Sequence, residues 1–291
     1  MMTSATTAIT AAAATTTDSA AGWDAAAEGW NRSAPLIRAW LHDATDAMLD
    51  AARIEAGARV LEIAAGAGDQ TLDIARRVGP QGRVLATDIS PRILALAELN
   101  ADAAGLRQVE TRVADAERLG LDGAGFDAAL CRLGLMFCPR PGDALESARA
   151  ALKPGGRFVA LVFGGPQGNP CVALMMATAL RHRGLPAGAP PTPGTLLSLG
   201  APGLLQQLLE TSGFVDAEVH TISAPFHLPS ADAYVDFVRT SGSPLMQLLA
   251  PLSVDGQAAA WDDMRQQLRR FDATDGWHGP NELLLAAACA P

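Results

Sequence analysis

The twelve residues VLEIAAGAGDQT, numbers 60–71, constrain this chain more than any other stretch. A short apolar run of strand character carries one acid, Glu62. It enters a turn holding Gly66 and Gly68, and a helical pattern opens at Asp69. Glycine has no Cβ, so such a turn lets a ligand lie against bare backbone. The same grammar then repeats. A second strand pattern, residues 83–87, ends in Asp88, and a third, residues 108–113, is followed by Asp115 and Ala116. Acids at three consecutive strand ends suit a cationic, adenosine-bearing ligand better than a dinucleotide.

Alternation continues beyond these motifs. Strand patterns at 126–131 and 157–163 flank a helical segment at 141–152, and helical segments at 69–78 and 91–104 separate the earlier strands. Strands alternating with ten-residue helices predict parallel βαβ units and an α/β, Rossmann-like, doubly wound sheet. Before the sheet, residues 23–53 place Leu36, Ile37, Trp40, Leu41, Met48 and Leu49 at helical spacing, with Pro35 suited to a first turn. After it, residues 164–203 are rich in Pro and Gly around an apolar run at 172–180, which predicts a partly helical insertion over the mouth of the sheet. A helix at 204–211, a long strand at 214–228 broken near Pro225, a largely helical stretch and a last strand at 283–289 complete the expected order. The divisions expected are a disordered tail (1–22), a helical cap segment (23–54), a ligand-binding core (55–165), a lid insertion with its helix (166–213), and C-terminal strands with a helical insertion (214–291).

Composition narrows the partners. Charged residues are 18% of the chain and the formal net charge is −9, with a single lysine, Lys153. A nucleic-acid binder shows a basic patch, and none is visible. The four cysteines form no CxxC pair and no Cys/His cluster, so buried thiols in a reducing cytoplasm are expected and no metal site. No apolar run is long enough to cross a bilayer. The Thr/Ala-rich start lacks the basic residues of a secretory signal. A cytoplasmic protein is expected, its oligomeric state open, with a homodimer among the options.

Ligands of open α/β sheets bind beyond the carboxyl ends of the strands, where strand order reverses. That rule gathers Gly66, Gly68, Asp88, Asp115 and Arg132 around one crevice. Asp88 can accept hydrogen bonds from two ribose hydroxyls. Asp115 can accept from an adenine amino group while the Ala116 amide donates to a ring nitrogen. Glu62, beneath the loop, adds negative potential toward an ammonium and a sulfonium. Taken singly, each has a plainer role: a tight turn, a helix-start device before Ser90 and Pro91, a solvated loop acid. Taken in order, they point to a binding site.

The ordered segments VLEIAAGAGDQT, VLATDIS, VADAERLGL, FDAALCRLGLMF and LKPGGRFVALVF resemble the successive motifs of class I S-adenosylmethionine-dependent methyltransferases. The nearest branch is that of ubiquinone/menaquinone-biosynthesis C-methyltransferases. The resemblance spans about residues 55–165. It implies seven strands with the last inserted antiparallel, helical cap insertions, and S-adenosyl-L-methionine as cofactor. It also implies cofactor contacts at Glu62, Ala64, Gly66, Gly68, Asp88, Ile89, Asp115, Ala116 and the backbone near Arg132. Two positions depart from the pattern. Ala64 stands where the superfamily often has a glycine, and Met136 stands where the quinone enzymes carry an arginine.

The expected activity is therefore methyl transfer to carbon or oxygen of a small apolar or aromatic acceptor. Trp30, Leu133 and Met136 are the expected substrate-pocket residues. The apolar lid segment 171–180, with Met175 and Met176, suits a hydrophobic molecule, although ordinary helix packing would look the same. Trp23, Trp30 and Trp40 would equally staple the first helix to the sheet. Candidate bases are His42, His182, His220, His227 and His278, with His182 first because Arg181-His-Arg183 follows the apolar lid helix. Two other functions share these features. A nicotinamide-dependent oxidoreductase would want a third glycine where Thr71 stands. A non-catalytic protein could retain fold and cofactor alone.

Overall fold

A computed structural model describes residues 16–186, 191–241 and 243–291. The chain opens with two helices, α1 (Thr16–Arg32) and α2 (Ala34–Ala51). Residues 16–22, expected to be a disordered tail, are thus helical, and residues 1–15 of that expectation lie outside the described residues. Alanines at 20, 21 and 25–27 are strong helix formers, and tertiary packing anchors the helix. Ala27 is buried against Ala67 and Ile93, and Asp24 accepts a hydrogen bond from the Ser90 hydroxyl. The single helical pattern of residues 23–53 is in fact two helices, the second restarting with Pro35 in its first turn. Ile37, Leu41, Ala44, Met48 and Leu49 form its buried face.

The sheet is built next: β1 (Arg59–Ile63), α3 (Asp69–Val78), β2 (Arg83–Asp88), α4 (Pro91–Ala103), β3 (Val109–Val113), β4 (Phe126–Arg132), α5 (Pro141–Ala151) and β5 (Leu152–Phe163). Every residue of β1 after Arg59 is buried, as a central parallel strand covered on both faces requires. Ser90 caps α4 as expected, its hydroxyl accepting from the Ile93 amide at 3.1 Å. β5 starts five residues earlier than the apolar pattern. Leu152 pairs with Phe126 and Arg157 with Ala128, so the Lys153–Gly156 turn is an excursion within the strand.

The remainder comprises α6 (Pro170–His182), α7 (Leu204–Thr211), β6 (Val215–Ser223), β7 (Phe226–Leu228), α8 (Ala231–Ser241), α9 (Ser243–Leu249), α10 (Val254–Leu268), β8 (Asp272–Ala273), β9 (Gly276–Gly279) and β10 (Glu282–Cys289). The main sheet has the order β3-β2-β1-β4-β5-β10-β6. β10 is antiparallel to both neighbours, with Ala286 opposite Ala160 and Val219. Seven strands with the last inserted in reverse match the expectation. Order reverses between β1 and β4, which places the ligand-binding crevice at their carboxyl ends.

The strand expected at 214–228 is two strands in different sheets. β7 leaves the main sheet and pairs with β9, which pairs with β8. The stretch before β10 is accordingly helical only as far as residue 271. Gly-Trp-His-Gly has no strand-like alternation, and its pairing depends on Trp277, fully buried with its indole N–H donating to Leu268 O at 2.8 Å. Around it Phe226, Tyr234, Trp261, Met264 and Met175 form a second apolar cluster. Each such fully buried large side chain contributes about 1.5–3 kcal/mol. This cluster is the cap, and it meets the sheet where β4 and β5 end.

Candidate functional site

The turn after β1 is held in a left-handed conformation at three of five residues: Ala64 (φ 56°), Gly66 (φ 58°) and Gly68 (φ 86°). At Gly68 the requirement is also steric, because a Cβ there would lie 2.9 Å from the Ala97 Cβ of α4. Ala64 explains the departure noted above: it adopts what a glycine would adopt freely, at a penalty of about 1–2 kcal/mol. Its counterpart after β4, Leu133, has φ 56° as well. Two strained residues at the lips of one crevice are the pattern of a functional site. Gly134 permits their approach, since a Cβ on it would fall 2.4 Å from that of Ala64.

Asp88 ties this turn to the end of β2. Its Oδ2 accepts from the Gly66 amide at 3.0 Å and its Oδ1 from the Ser90 amide at 2.9 Å. Burial raises the carboxyl above its ordinary range, and the amides of Ser90, Gly66 and Ile89 act against that. A carboxylate has about four acceptor sites, so these amides leave capacity for a ligand hydroxyl. Asp115 is placed differently. Its Oδ1 accepts from the Glu117 amide at 3.0 Å, whereas its buried Oδ2 has no hydrogen-bond partner, only the Arg118 guanidinium at 3.6 Å. Leaving a buried acceptor unmet costs about 1–3 kcal/mol, and an amino-bearing ligand would relieve it.

These groups line one open crevice at the carboxyl ends of the strands. The structure brings together Ala64, Gly66, Asp88, Ile89, Asp115, Ala116, Arg132, Trp30 and Leu133 there, as expected. It adds Trp23, Glu117, Phe137 and Cys138, which sequence reasoning missed. The signal available was Trp23 itself, whose ring meets Phe137 edge-on at 5.3 Å. Gly68 and Met136 do not line the crevice: Gly68 shapes the turn, and Met136 belongs to the adjoining chamber.

Glu62 also lies outside the crevice. With Asp69, Gln70 and Arg132 it walls a smaller cavity of about 290 Å³ beneath the turn, and the Thr71 hydroxyl donates to it at 2.5 Å. Burial pushes the Glu62 carboxyl up to about 8, against the opposing effects of Thr71 and Arg132. Burial thus works against the negative potential expected of Glu62. Because its folded pKa lies above the unfolded value, its stabilising contribution is complete below about pH 4.5 and is lost as pH rises toward about 8. Glu62→Gln should thus be more stable than the parent at pH 8, with the difference vanishing near pH 5. Thermal melts across that range would show it, and a pH-independent difference would refute it.

The Arg132 side chain is turned away from solvent, its guanidinium bonding Asp69 at 2.5 Å and Thr45 at 2.9 Å. It braces β4 against α2 and α3, while the backbone beside it borders the crevice.

Next to the crevice lies a chamber walled almost wholly by apolar and aromatic side chains. Trp40, Met136, Phe163, Val172, Met175, Met176, Phe226, Tyr234 and Phe237 are among them. Trp23, Trp30, Leu133 and Phe137 border both spaces. Trp40 stacks on Phe226 at 4.1 Å and donates its indole N–H to Ala224 O at 2.7 Å. Helix α6 turns Met175 and Met176 toward this apolar space.

No histidine lines either space. His182, the leading candidate base, turns outward from α6 to Asp263 of α10 at 3.1 Å. Arg181 and His182 serve that contact between helices instead. His42 and His220 pair with Asp46 and Glu218 on the surface. His227 and His278 face each other across β7 and β9, bordering a separate groove. Among the described residues, no group of three or more His, Cys, Asp or Glu is arranged to hold a metal, and no helix is long and apolar enough to cross a membrane. All four cysteines are free thiols, Cys131 and Cys171 buried.

Residues 60–156 match the family model of a methyltransferase domain. A curated relative, the ubiquinone/menaquinone biosynthesis C-methyltransferase UbiE of Ectopseudomonas mendocina (strain ymp), is 39% identical over 128 residues, which are 43% of this chain and 49% of that protein. The chain thus spans about half the length of the curated relatives it matches. Among solved structures, the [4+2]-cyclase SpnF is 18% identical with a TM-score of 0.59, covering 95% of this chain and 97% of its own. A phosphoethanolamine N-methyltransferase 2 of Haemonchus contortus, in complex with phosphomonomethylethanolamine and S-adenosylhomocysteine, is 17% identical with a TM-score of 0.56, covering 90% of this chain and 58% of its own. At those identities the structures share a fold and no more. The domain match falls on the strands whose ends shape the crevice, so residues 60–156, set in a seven-stranded sheet with its last strand reversed, are similar to a methyltransferase domain.

Proposed function

We propose that this chain uses S-adenosylmethionine to methylate a small apolar or aromatic acceptor. The observation that carries the proposal is the contiguity of an acid-lined crevice and an apolar chamber across one wall of Trp23, Trp30, Leu133 and Phe137. The donor set of the crevice fits an adenosine: Asp88 has lone pairs to spare for ribose hydroxyls, and the unmet Oδ2 of Asp115 suits an amino group. The methyltransferase-domain match over residues 60–156 supports the same cofactor. When bound, S-adenosylmethionine supplies a methyl group already activated by its sulfonium.

The protein's own task is then alignment and exclusion of water. Holding two reactants in line can lower a barrier by roughly 7–11 kcal/mol. The aromatic wall keeps solvent from the junction, and the chamber fixes the acceptor. With no imidazole in either space, the acceptor needs a nucleophile that requires no histidine base. Carbon and oxygen acceptors both give up a proton on methylation, so a group other than histidine must take it; the curated relative is named a C-methyltransferase. Met136, buried in the chamber wall where the quinone enzymes carry arginine, argues for an acceptor with no anionic group at that point.

The same lack of a base favours a second reading, a protein that holds the cofactor without transferring its methyl group; the shared fold with a [4+2]-cyclase is compatible with it. Nothing in the crevice favours a nicotinamide, since Thr71 is occupied with Glu62. Calorimetry with S-adenosylmethionine should show binding, and S-adenosylhomocysteine should form when apolar metabolite pools are added. Binding without turnover would favour the second reading. No binding at millimolar cofactor would remove the first.

A further inference from the structure

We propose that the Tyr234 hydroxyl recognises an oxygen of the acceptor, so that the chamber takes an apolar molecule bearing a carbonyl, ether or hydroxyl oxygen away from the atom methylated. This rests on the chamber being the acceptor site. Tyr234 is the chain's one tyrosine. Its residue surface is 3% exposed, and it lines the chamber without lining the crevice. The ring is fixed by stacking on Trp277 at 4.7 Å and by an edge contact with Phe226 at 5.1 Å.

Buried tyrosine hydroxyls ordinarily find a partner. Neighbouring polar groups do: Trp40 donates to Ala224 O, Trp277 to Leu268 O at 2.8 Å, and Ser241 to Phe237 O at 2.6 Å. The Tyr234 hydroxyl has none among the described residues, and Tyr234 lines the chamber. An unmatched donor in an apolar wall is a specificity device. It rewards a ligand that brings an acceptor atom and penalises an isostere that does not. Burial pushes the phenol's ionisation above its ordinary range, so the group donates a hydrogen bond and does not serve as a base. Trp23 and Trp30 line both spaces, at the junction where the reacting atom belongs. Tyr234, outside that shared wall, reads a different part of the acceptor.

The test pairs 2-acetylnaphthalene with its hydrocarbon isostere 2-isopropenylnaphthalene in equilibrium dialysis against the full chain. The parent should bind the ketone about ten-fold more tightly, the value of one neutral hydrogen bond. Tyr234→Phe keeps the stacked ring and should bind both alike, with hydrocarbon affinity near the parent's. A second readout needs no substitution: 3-fluorotyrosine incorporation places one ¹⁹F resonance in the protein, and the ketone should shift it more than the hydrocarbon. Persistence of the ketone preference in Tyr234→Phe, failure of both probes to bind, or a resonance indifferent to the ketone would overturn the proposal. Calorimetry with S-adenosylmethionine separates the two readings. Tyr234→Phe should bind the cofactor as the parent does, whereas a parent that binds no cofactor sinks the methyltransferase reading and leaves the probe preference measurable.

Discussion

Asp88→Ala should weaken S-adenosylmethionine binding by about 10²–10³-fold. Hydrogen bonds to a charged group contribute about 1.5–3 kcal/mol each, and losing two from ribose hydroxyls falls near 3–4 kcal/mol, or two to three decades in affinity. The substitution also releases the Gly66 and Ser90 amides from the carboxylate that holds the turn. Asp88→Asn should fall between, because its one oxygen can still accept. Calorimetry measures both, with a thermal melt to establish that the variants are folded. An alanine variant that binds cofactor like the parent would mean that the ribose lies elsewhere.

The second large effect concerns stability. Arg132 and Asp69 form a pair whose side chains are 8% and 9% exposed, and Arg132 also bonds Thr45. Removing one partner of a buried pair leaves an uncompensated charge and costs about 3–5 kcal/mol. Arg132→Met should therefore lower the melting temperature by about 6–10 °C for a chain of this size. Arg132→Met combined with Asp69→Leu should recover most of that loss, since replacing both partners with apolar groups removes the stranded charge. Arg77→Ala is the contrast. Its pair with Asp50 is 36% and 70% exposed, and such pairs are worth at most about 1 kcal/mol. Equal losses at the two sites would show that the buried pair has no special weight.

What could be read from the chain beforehand follows from which interactions are local. The αL turn at Gly66 and Gly68, the cap at Ser90 and the buried runs of β1 and β5 are set by residues adjacent in sequence, and each was legible. So were the acids at the ends of β2 and β3, because a parallel strand ends where its apolar run ends. The small sheet of β7, β8 and β9 was not, since β7 joins it by pairing with β9 across about 50 residues and the β8–β9 hairpin depends on the burial of Trp277. Nor was the start of α1, fixed by Asp24 on Ser90 and Ala27 on Ile93, 66 positions away in each case. His182 illustrates the same limit at the site. Its position after an apolar helix suggested a lid residue, but the last turn of α6 faces α10, and Asp263 claims the ring. Met136, expected in a substrate pocket, lies in the wall of the apolar chamber, yet nothing in the sequence showed that Trp40 and Phe226 stack to form the same wall.

A crystal structure with S-adenosylhomocysteine bound bears most directly on the site. Sugar hydroxyls on Asp88, the adenine amino group on Asp115 Oδ2, and sulfur facing Trp23, Trp30, Leu133 and Phe137 would be the outcome required. A nucleoside lodged elsewhere, or lying in the crevice with both carboxylates uninvolved, would contradict the assignment.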